Sequence, residues 1–348
     1  MIICLAQIGL TRHLLVNFTV NKHSESAGRA LSAITTKMII NNGFPFNVFT
    51  LLYEACVISV LDYSAAIYGF KEYQSAMNIH LRAIRSFLGT PKNVCSPGVL
   101  SEVDLLLPHH RTKIQMVRFY HRLLCMDNNR LTKKIMLWDK GLNESQLINT
   151  WSSNVKSIFT ECNLTSTFES GLNFNKTQIL TDIKSTLLKK QQNLLKQECR
   201  DKPKLRTFLL FKVFDEPAAY VGKPLSFQQR RVLAKARLGC LPLRIETGRY
   251  TRLKEEERTC QVCEKDYLID VPGIHSTKPI ENEAHFMFKC AAYSSERDHW
   301  LSQLITPDNF ENLTIADKFK TVLNVSTNVK ATSQFILQAL NKRSLLLQ

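Results

Sequence analysis

The sequence predicts a mainly α-helical protein, in which a helical bundle is followed by a basic helical region and a small module rich in cysteine and histidine. Three observations support this fold class. Apolar residues recur at helical spacing between glycine and proline breaks, positive charge concentrates in one stretch, and cysteines and a histidine cluster near the C-terminus. With 348 residues, 44% of them hydrophobic and 22% charged, the chain is expected to bury a substantial core.

Three helices joined by short loops are predicted in the first part of the chain. The first follows Ser24 and ends before Gly43, and its apolar residues share one helical face: Ala27, Ala30, Leu31, Ile34 and Met38. Pro45 begins a second helix, and a third is expected from about Glu72 to Phe87. Short connections of this kind favour a compact bundle.

The middle of the chain continues as helix and then turns polar. An amphipathic helix is expected after Pro108, with more helix toward Trp138. From about Gly141 to Gly171 the residues are mainly polar, which indicates a looser connecting region with short helices. The predicted domains are therefore 1–140 for the bundle, 141–200 for a polar connector with a basic helix, and 201–348 for a basic C-terminal domain.

Positive charge is concentrated between Lys184 and Arg258, where 19 basic residues stand against 8 acidic ones. The whole chain carries a formal charge of +16. Such an excess attracts anionic partners through steering and counterion release. RNA, or single-stranded or duplex DNA, is therefore the expected partner, while a helix with a solvated basic face is the alternative.

Four residues have the spacing of metal ligands, in the pattern Cys260-x2-Cys263-x21-His285-x4-Cys290. Three thiolates and one imidazole suit tetrahedral Zn²⁺ and leave no position for a catalytic water. One structural zinc ion is therefore predicted within 260–290. His275 is a rival imidazole, and ordinary buried thiols with a core histidine are the alternative interpretation. Phe286 and Phe288 are expected in the core.

The other cysteines are scattered, and those in apolar surroundings, such as Cys56 and Cys125, are expected to be buried free thiols. This usage favours a reducing compartment, hence cytoplasm or nucleus. The apolar N-terminus lacks a basic leader, and no uninterrupted apolar stretch reaches the length of a membrane span. Neither a membrane nor a small-molecule substrate is expected as a partner.

A basic and partly aromatic segment leads to the first cysteine of this pattern. Ser226 and Gln229 form a capping-box signature, and the helix that they begin is expected to end near Gly239. Arginines are suited to gripping phosphates, and an exposed tyrosine can stack on an unpaired base. The candidate nucleic-acid-binding residues are Arg230, Arg231, Lys235, Arg237, Arg244, Arg249, Tyr250 and Arg252.

Several segments, in order, resemble the reverse transcriptases of invertebrate non-LTR (LINE-type, jockey-like) retrotransposons. They are SESAGRALSAITTK, LYEACVISVLDYSAAIYG, LRAIRSFLGTPKN, HRLLCMDNNRL, LRIETGRYTR, RTCQVC and ENEAHFMFKCAAY. The first four resemble the helical, thumb-like region that follows the polymerase palm of that family. The last three, with Arg297 beyond them, resemble its cysteine-rich C-terminal end. The resemblance thus spans most of the chain.

Polymerases of that family hold two metal ions on a pair of adjacent aspartates and a third aspartate upstream. This sequence has no two adjacent aspartates, so reverse transcription by the chain alone is not expected. The predicted function is that of a reverse-transcriptase fragment without its catalytic palm that binds RNA or DNA through a zinc-stabilised region. Two alternatives remain open: a decayed or repurposed structural protein, and the C-terminal part of an active polymerase whose palm is missing from the gene model.

Overall fold

A computed structural model describes the backbone of residues 2–144, 150–170, 175–266 and 278–348, and the side chains of 16–142, 150–170, 175–264 and 278–348. The helices of the first half are α1 Ile2–Ile40, α2 Phe46–Tyr53, α3 Ser59–Leu61, α4 Ala65–Tyr68, α5 Gln74–Leu88, α6 Ser96–Val103, α7 Pro108–Leu124, α8 Leu131–Glu144, α9 Trp151–Glu161 and α10 Thr165–Glu169. Those that follow are α11 Lys176–Arg200, α12 Phe208–Phe211, α13 Phe227–Arg237, α14 Arg244–Thr247, α15 Gln261–Asp266, α16 Ser294–Leu301, α17 Ile315–Leu323 and α18 Val329–Leu346.

Short 3₁₀ or π turns supplement these helices at Glu54–Ile58, Pro203–Leu205, Glu255–Glu257, His285–Lys289, Ala291–Tyr293 and Phe310–Asn312. Across the described ranges the chain forms no β-strand, and its extended pairing is a single antiparallel bridge between Thr259 and Ile280. The prediction of a mainly α-helical fold is confirmed.

The chain divides into two compact units, each built from separated stretches of sequence. Unit 1 contains residues 1–34, 51–83 and 105–194, and unit 2 contains residues 35–50, 84–104 and 195–348. The three consecutive domains expected from composition remain a prediction. The candidate metal ligands all belong to unit 2.

The core of unit 1 includes the region that composition marks as polar. Its main cluster of buried side chains comprises Met116, Val117, Tyr120, Leu123, Met136, Val155, Ile158, Phe159, Cys162, Phe168, Ile179, Ile183 and Leu187. Within 150–170, α9 and α10 are the short helices expected there, but they contribute Val155, Ile158, Phe159 and Phe168 to this core. The described part of the predicted loose connector is therefore packed, because its few apolar residues recur at helical spacing.

Backbone breaks end the helices where local chemistry predicts. Helix α1 ends at Ile40, and the amide of Gly43 donates to the carbonyl of Met38 at 2.8 Å. Gly43 has a φ of 109°, which favours glycine because it lacks a Cβ atom. Helix α2 then begins directly after Pro45. Helix α1 begins at Ile2, far earlier than the predicted start near Ser24.

Two of the expected buried thiols lie at the surface. Cys56 and Cys125 are both exposed, so their prediction as core residues is wrong. Apolar neighbours in sequence did not decide their burial, because successive residues of a helix point in different directions. Within the ranges given above, no helix combines the length and the apolar character needed to cross a bilayer.

Candidate metal centre

The four predicted ligands meet in unit 2, carried by two short segments. Cys260 immediately precedes helix α15, and Cys263 lies within its first turn. His285 begins the π turn His285–Lys289, and Cys290 is the residue directly after it. One side-chain ligand atom from each of the four residues lies within 4.8 Å of every other. The spacing pattern in the sequence therefore corresponds to a real cluster that can hold a metal ion.

The distances within the cluster suit a tetrahedral ion. The sulfur of Cys263 lies 3.5 Å from Nε2 of His285 and 3.6 Å from the sulfur of Cys290. Metal–sulfur bonds of about 2.3 Å and metal–nitrogen bonds of about 2.0 Å place tetrahedral ligands about 3.5 to 3.8 Å apart. Sulfurs 3.6 Å apart are also far beyond the disulfide bond length of about 2.05 Å. The cluster thus has the dimensions of a metal site with reduced thiols.

All four ligands are buried, Cys290 completely. A hydrogen bond with Cys290, followed by burial, raises the pKa of the Cys260 thiol to about 12. Buried thiols without a neighbouring cation keep their protons, whereas a coordinated metal ion stabilises the thiolate. A metal ion is therefore the group that matches this set of buried donors.

Backbone pairing holds the two ligand segments side by side. The bridge between Thr259 and Ile280 is extended by the amide of Cys260, which donates to the carbonyl of Pro279 at 2.8 Å. On the other side, the amide of Glu281 donates to the carbonyl of Arg258 at 2.9 Å. This pairing brings together ligands separated by the 21-residue gap. His275, the rival imidazole, lies in that gap and outside the described residues.

The π turn explains the spacing between the last two ligands. The amide of Cys290 donates to the carbonyl of His285 at 2.8 Å, an i to i+5 bond that returns the chain to the same side after five residues. Asn282 caps this segment, accepting from the amide of His285 at 2.8 Å. Arg297 donates to the carbonyls of Met287 and Cys290 at 2.9 and 2.6 Å. These contacts orient the turn that carries both ligands.

Two buried carboxylates near the ligands were not predicted from the sequence. Glu281 and Glu283 are each 1% exposed. Glu283 accepts from Arg206 at 3.0 Å and from the Thr207 hydroxyl at 3.1 Å. The sequence signal that could have indicated them is the segment IENEAH, in which both glutamates lie within four residues before the ligand His285. Because buried carboxylates require partners, these glutamates tie the ligand segment to the rest of unit 2.

Of the two aromatic residues between the ligands, Phe286 is buried in the core as predicted, whereas Phe288 is half-buried and packs against other rings. Phe286 contacts Tyr293 and Phe335, with ring centroids 5.2 and 6.3 Å apart. Phe288 contacts Phe319 at 5.2 Å and Trp300 at 6.2 Å. Successive aromatic residues therefore anchor the ligand turn to helices α16, α17 and α18.

Arg230 does not project from α13 as predicted. It is fully buried, its guanidinium lies 4.1 Å from the centre of the Phe87 ring, and it donates to the carbonyl of Phe44 at 2.7 Å. Burial lowers the pKa of Arg230 to about 10, so that it remains a cation at neutral pH. The expected surface position is wrong, because this cation packs against the Phe87 ring and donates to carbonyls inside unit 2.

Arg237 also lies in the interior, 1% exposed. It forms a two-pronged ion pair with Glu102, at 2.7 and 3.0 Å, and donates to the carbonyl of Leu323 and the amide oxygen of Asn324, both at 2.8 Å. Its predicted projection toward a nucleic acid is wrong as well. Its charge is neutralised by a glutamate 135 positions away in sequence, a pairing that helical periodicity alone cannot reveal.

The other candidate nucleic-acid-binding residues are more accessible. Arg231, Arg252 and Tyr250 are exposed, and Lys235 and Arg244 are half-buried. Arg249 is half-buried and lies 3.3 Å from Glu246. The Tyr250 hydroxyl accepts from Asn93 at 2.6 Å, which orients its ring at the surface. Three exposed glutamates at 255–257 follow this segment and reduce its net positive charge.

Comparison with known proteins returned no matching family model, no similar curated protein and no similar solved structure.

Proposed function

We propose that this chain is the post-palm, C-terminal part of a LINE-type reverse transcriptase, and that it binds RNA or DNA through a region stabilised by one zinc ion. The observation that carries the proposal is the convergence of Cys260, Cys263, His285 and Cys290 on one buried point. These are the residues at the ligand positions of the cysteine-rich segment whose family resemblance the sequence suggests.

Zinc is the metal that best suits this donor set. Three sulfurs and one imidazole favour zinc over harder ions such as calcium and magnesium, which prefer oxygen ligands. Four protein ligands complete a tetrahedron and leave no open position for substrate or catalytic water. The ion would be structural, and its binding free energy would contribute to the folding of the segment around it.

The surface of α13 supplies the best-supported phosphate contact. Arg231 and Lys235 lie one helical turn apart, so their positive charges repel each other. Burial, followed by the charge of Arg231, lowers the pKa of Lys235. A phosphate bound between the two side chains would relieve this repulsion through charge-assisted hydrogen bonds. Tyr250 and Arg252 would add a base-stacking surface and a further cation.

The test is a titration of the zinc-loaded full chain with a fluorescein-labelled single-stranded RNA at several salt concentrations. We expect the logarithm of affinity to fall steeply with the logarithm of salt concentration. The variant Arg231→Glu/Lys235→Glu should bind at least about tenfold more weakly with a shallower salt slope. Lys37→Glu/Lys330→Glu is the matched control, because it makes the same charge change at exposed lysines on other helices of unit 2. Equal binding by the two double variants would refute the α13 contact.

A second candidate function is that of a structural protein without nucleic-acid affinity. The burial of Arg230 and Arg237 favours it, because these two cations form hydrogen bonds inside unit 2 and are not available to a nucleic acid. The same titration decides between the candidates. Absence of RNA and DNA binding by the zinc-loaded protein at low salt would leave the structural role.

A further inference from the structure

A polar groove lies within unit 1, between helix α1 and helix α5. Its volume is about 630 Å³, and it is open to solvent. Pockets of this size accommodate ligands of nucleotide dimensions. The groove belongs to unit 1, whereas the candidate metal centre and the α13 contact belong to unit 2, so the groove does not rest on the proposed function.

Two guanidinium groups line the groove, one from each wall. Arg29 belongs to α1 and Arg82 to α5, and both are exposed. Nη2 of Arg82 donates to the carbonyl of Gly28 and lies 3.5 Å from the hydroxyl of Ser32. This anchoring holds the Arg82 guanidinium against α1, and its Nε and Nη1 atoms have no hydrogen-bond partner among the described residues. Arg29 makes a contact within its own helix, where its Nη2 atom donates to the hydroxyl of Ser26 at 2.9 Å.

A buried hydroxyl in the same groove also lacks a partner. Ser24 is 5% exposed and lines the groove, and its Oγ atom forms no hydrogen bond within the described part of the chain. An unsatisfied buried hydroxyl costs about 1 to 3 kcal/mol. Native interiors rarely leave such a group unmatched. A bound ligand with hydrogen-bond acceptors would satisfy it.

The charges and amides of the groove indicate the ligand. Two guanidiniums stand against a single carboxylate, that of Glu25, which lies 3.2 Å from the ammonium of Lys22. The amides of Asn21 and Asn78 line the same groove and can bind polar edges of a ligand. Two guanidiniums with several N–H donors, carried by the two helices that form the groove, suit a tetrahedral oxyanion with several acceptor oxygens.

The geometry points to a binding site for a phosphate ester between α1 and α5, held by Arg29 and Arg82 and completed by the hydroxyl of Ser24. The phosphate can belong to a free nucleotide or to the backbone of a single-stranded polynucleotide. Both sources present the same oxyanion to the two arginines, and they differ in what lies beyond it.

The test titrates the full zinc-loaded chain with two probes, adenosine monophosphate and a single-stranded dT12 oligonucleotide. Arg29→Glu should weaken binding of at least one probe about tenfold. Arg118→Glu is the matched control, since it makes the same charge change at an exposed arginine of unit 1 outside the groove. If Arg29→Glu lowers the affinity for adenosine monophosphate, the groove is a nucleotide site. If it lowers the affinity for dT12 alone, the groove binds the polynucleotide backbone. Equal affinities of the two variants for both probes would overturn the proposal.

Ser24→Ala separates a ligand contact from a structural role. Removal of an unsatisfied buried hydroxyl should leave the melting temperature of the free protein unchanged or higher. Ser24→Ala should also lower, about threefold, the affinity for whichever probe binds more weakly to Arg29→Glu. A lower melting temperature with unchanged affinity would exclude Ser24 from the site. Adding Arg29→Glu to the Arg231→Glu/Lys235→Glu variant should weaken probe binding as much as it does in the original protein. Failure of the α13 contact and failure of the groove can therefore be told apart.

Discussion

The half-buried Arg343 and the buried Glu281 form a two-pronged ion pair, with Nε to Oε1 at 2.7 Å and Nη2 to Oε2 at 2.9 Å. Glu281 also accepts from the amide of Arg244 at 2.7 Å. Glu281 lies four residues before the ligand His285, and Arg343 lies in the last helix, α18. The pair therefore links the segment that carries two of the candidate metal ligands to helix α18.

Breaking this pair from one side should destabilise unit 2 strongly. Arg343→Met leaves the Glu281 carboxylate buried without its cation, which should cost about 3 to 5 kcal/mol of unfolding free energy. The double variant Arg343→Met/Glu281→Met should recover much of that loss, because no unpaired charge remains. Urea denaturation of Arg343→Met, Glu281→Met and the double variant measures the coupling free energy between the two side chains. Additive effects of the two single substitutions would contradict the pair.

Loss of one metal ligand should lower both metal content and stability. Cys263→Ser is expected to bind less than one zinc ion per chain by elemental analysis and to unfold at a lower temperature, because metal binding contributes to folding. Cys199→Ser is the matched control, as Cys199 is a buried cysteine of unit 2 outside the cluster. Full zinc content in Cys263→Ser would remove that residue from the ligand set.

Arg237 should prove essential to the fold rather than to nucleic-acid contact. Arg237→Ala leaves Glu102 buried without its partner, and we expect a loss of about 3 to 5 kcal/mol in unfolding free energy. Arg231→Ala, on the same helix but exposed, should change stability by less than about 0.5 kcal/mol. Chemical denaturation of the two variants makes the comparison. Similar stabilities would contradict the interior role assigned to Arg237.

Unit 1 should lose stability as the pH falls from about 6.5 to about 4. Burial, with the charges of His109 and Lys113, lowers the pKa of His110 to about 4, although Gln191 and Glu161 oppose this shift. The unfolded chain binds the proton near pH 6.5, while folded His110 stays neutral. The stabilisation is therefore full above pH 6.5 and declines on acidification.

His110→Gln should make the unfolding free energy less dependent on pH in this interval, which denaturation at a series of pH values would reveal. His299→Gln, at an exposed histidine of unit 2, is the control and should keep the acid dependence of the original protein. An unchanged slope for His110→Gln would show that other groups control the acid response.

The sequence alone determined the features that depend on neighbouring residues. Gly43 ends α1 because glycine tolerates a positive φ, and Pro45 precedes α2 because its fixed φ suits the start of a helix. The capping box of Ser226 and Gln229 forms as predicted, with both reciprocal bonds present. The four candidate metal ligands could also be predicted, and the structure brings them together in one buried cluster, because thiols and an imidazole at short spacings have few other uses together.

Only the tertiary structure decided which charges face solvent. Arg230, Arg231 and Arg237 look alike along α13, yet two of them are buried because their partners, such as Glu102, come from distant parts of the sequence. The same holds for Glu281, whose cation is 62 positions away. Helical periodicity places a residue on a face, but the long-range packing of other helices determines whether that face meets water, a carboxylate or an aromatic ring.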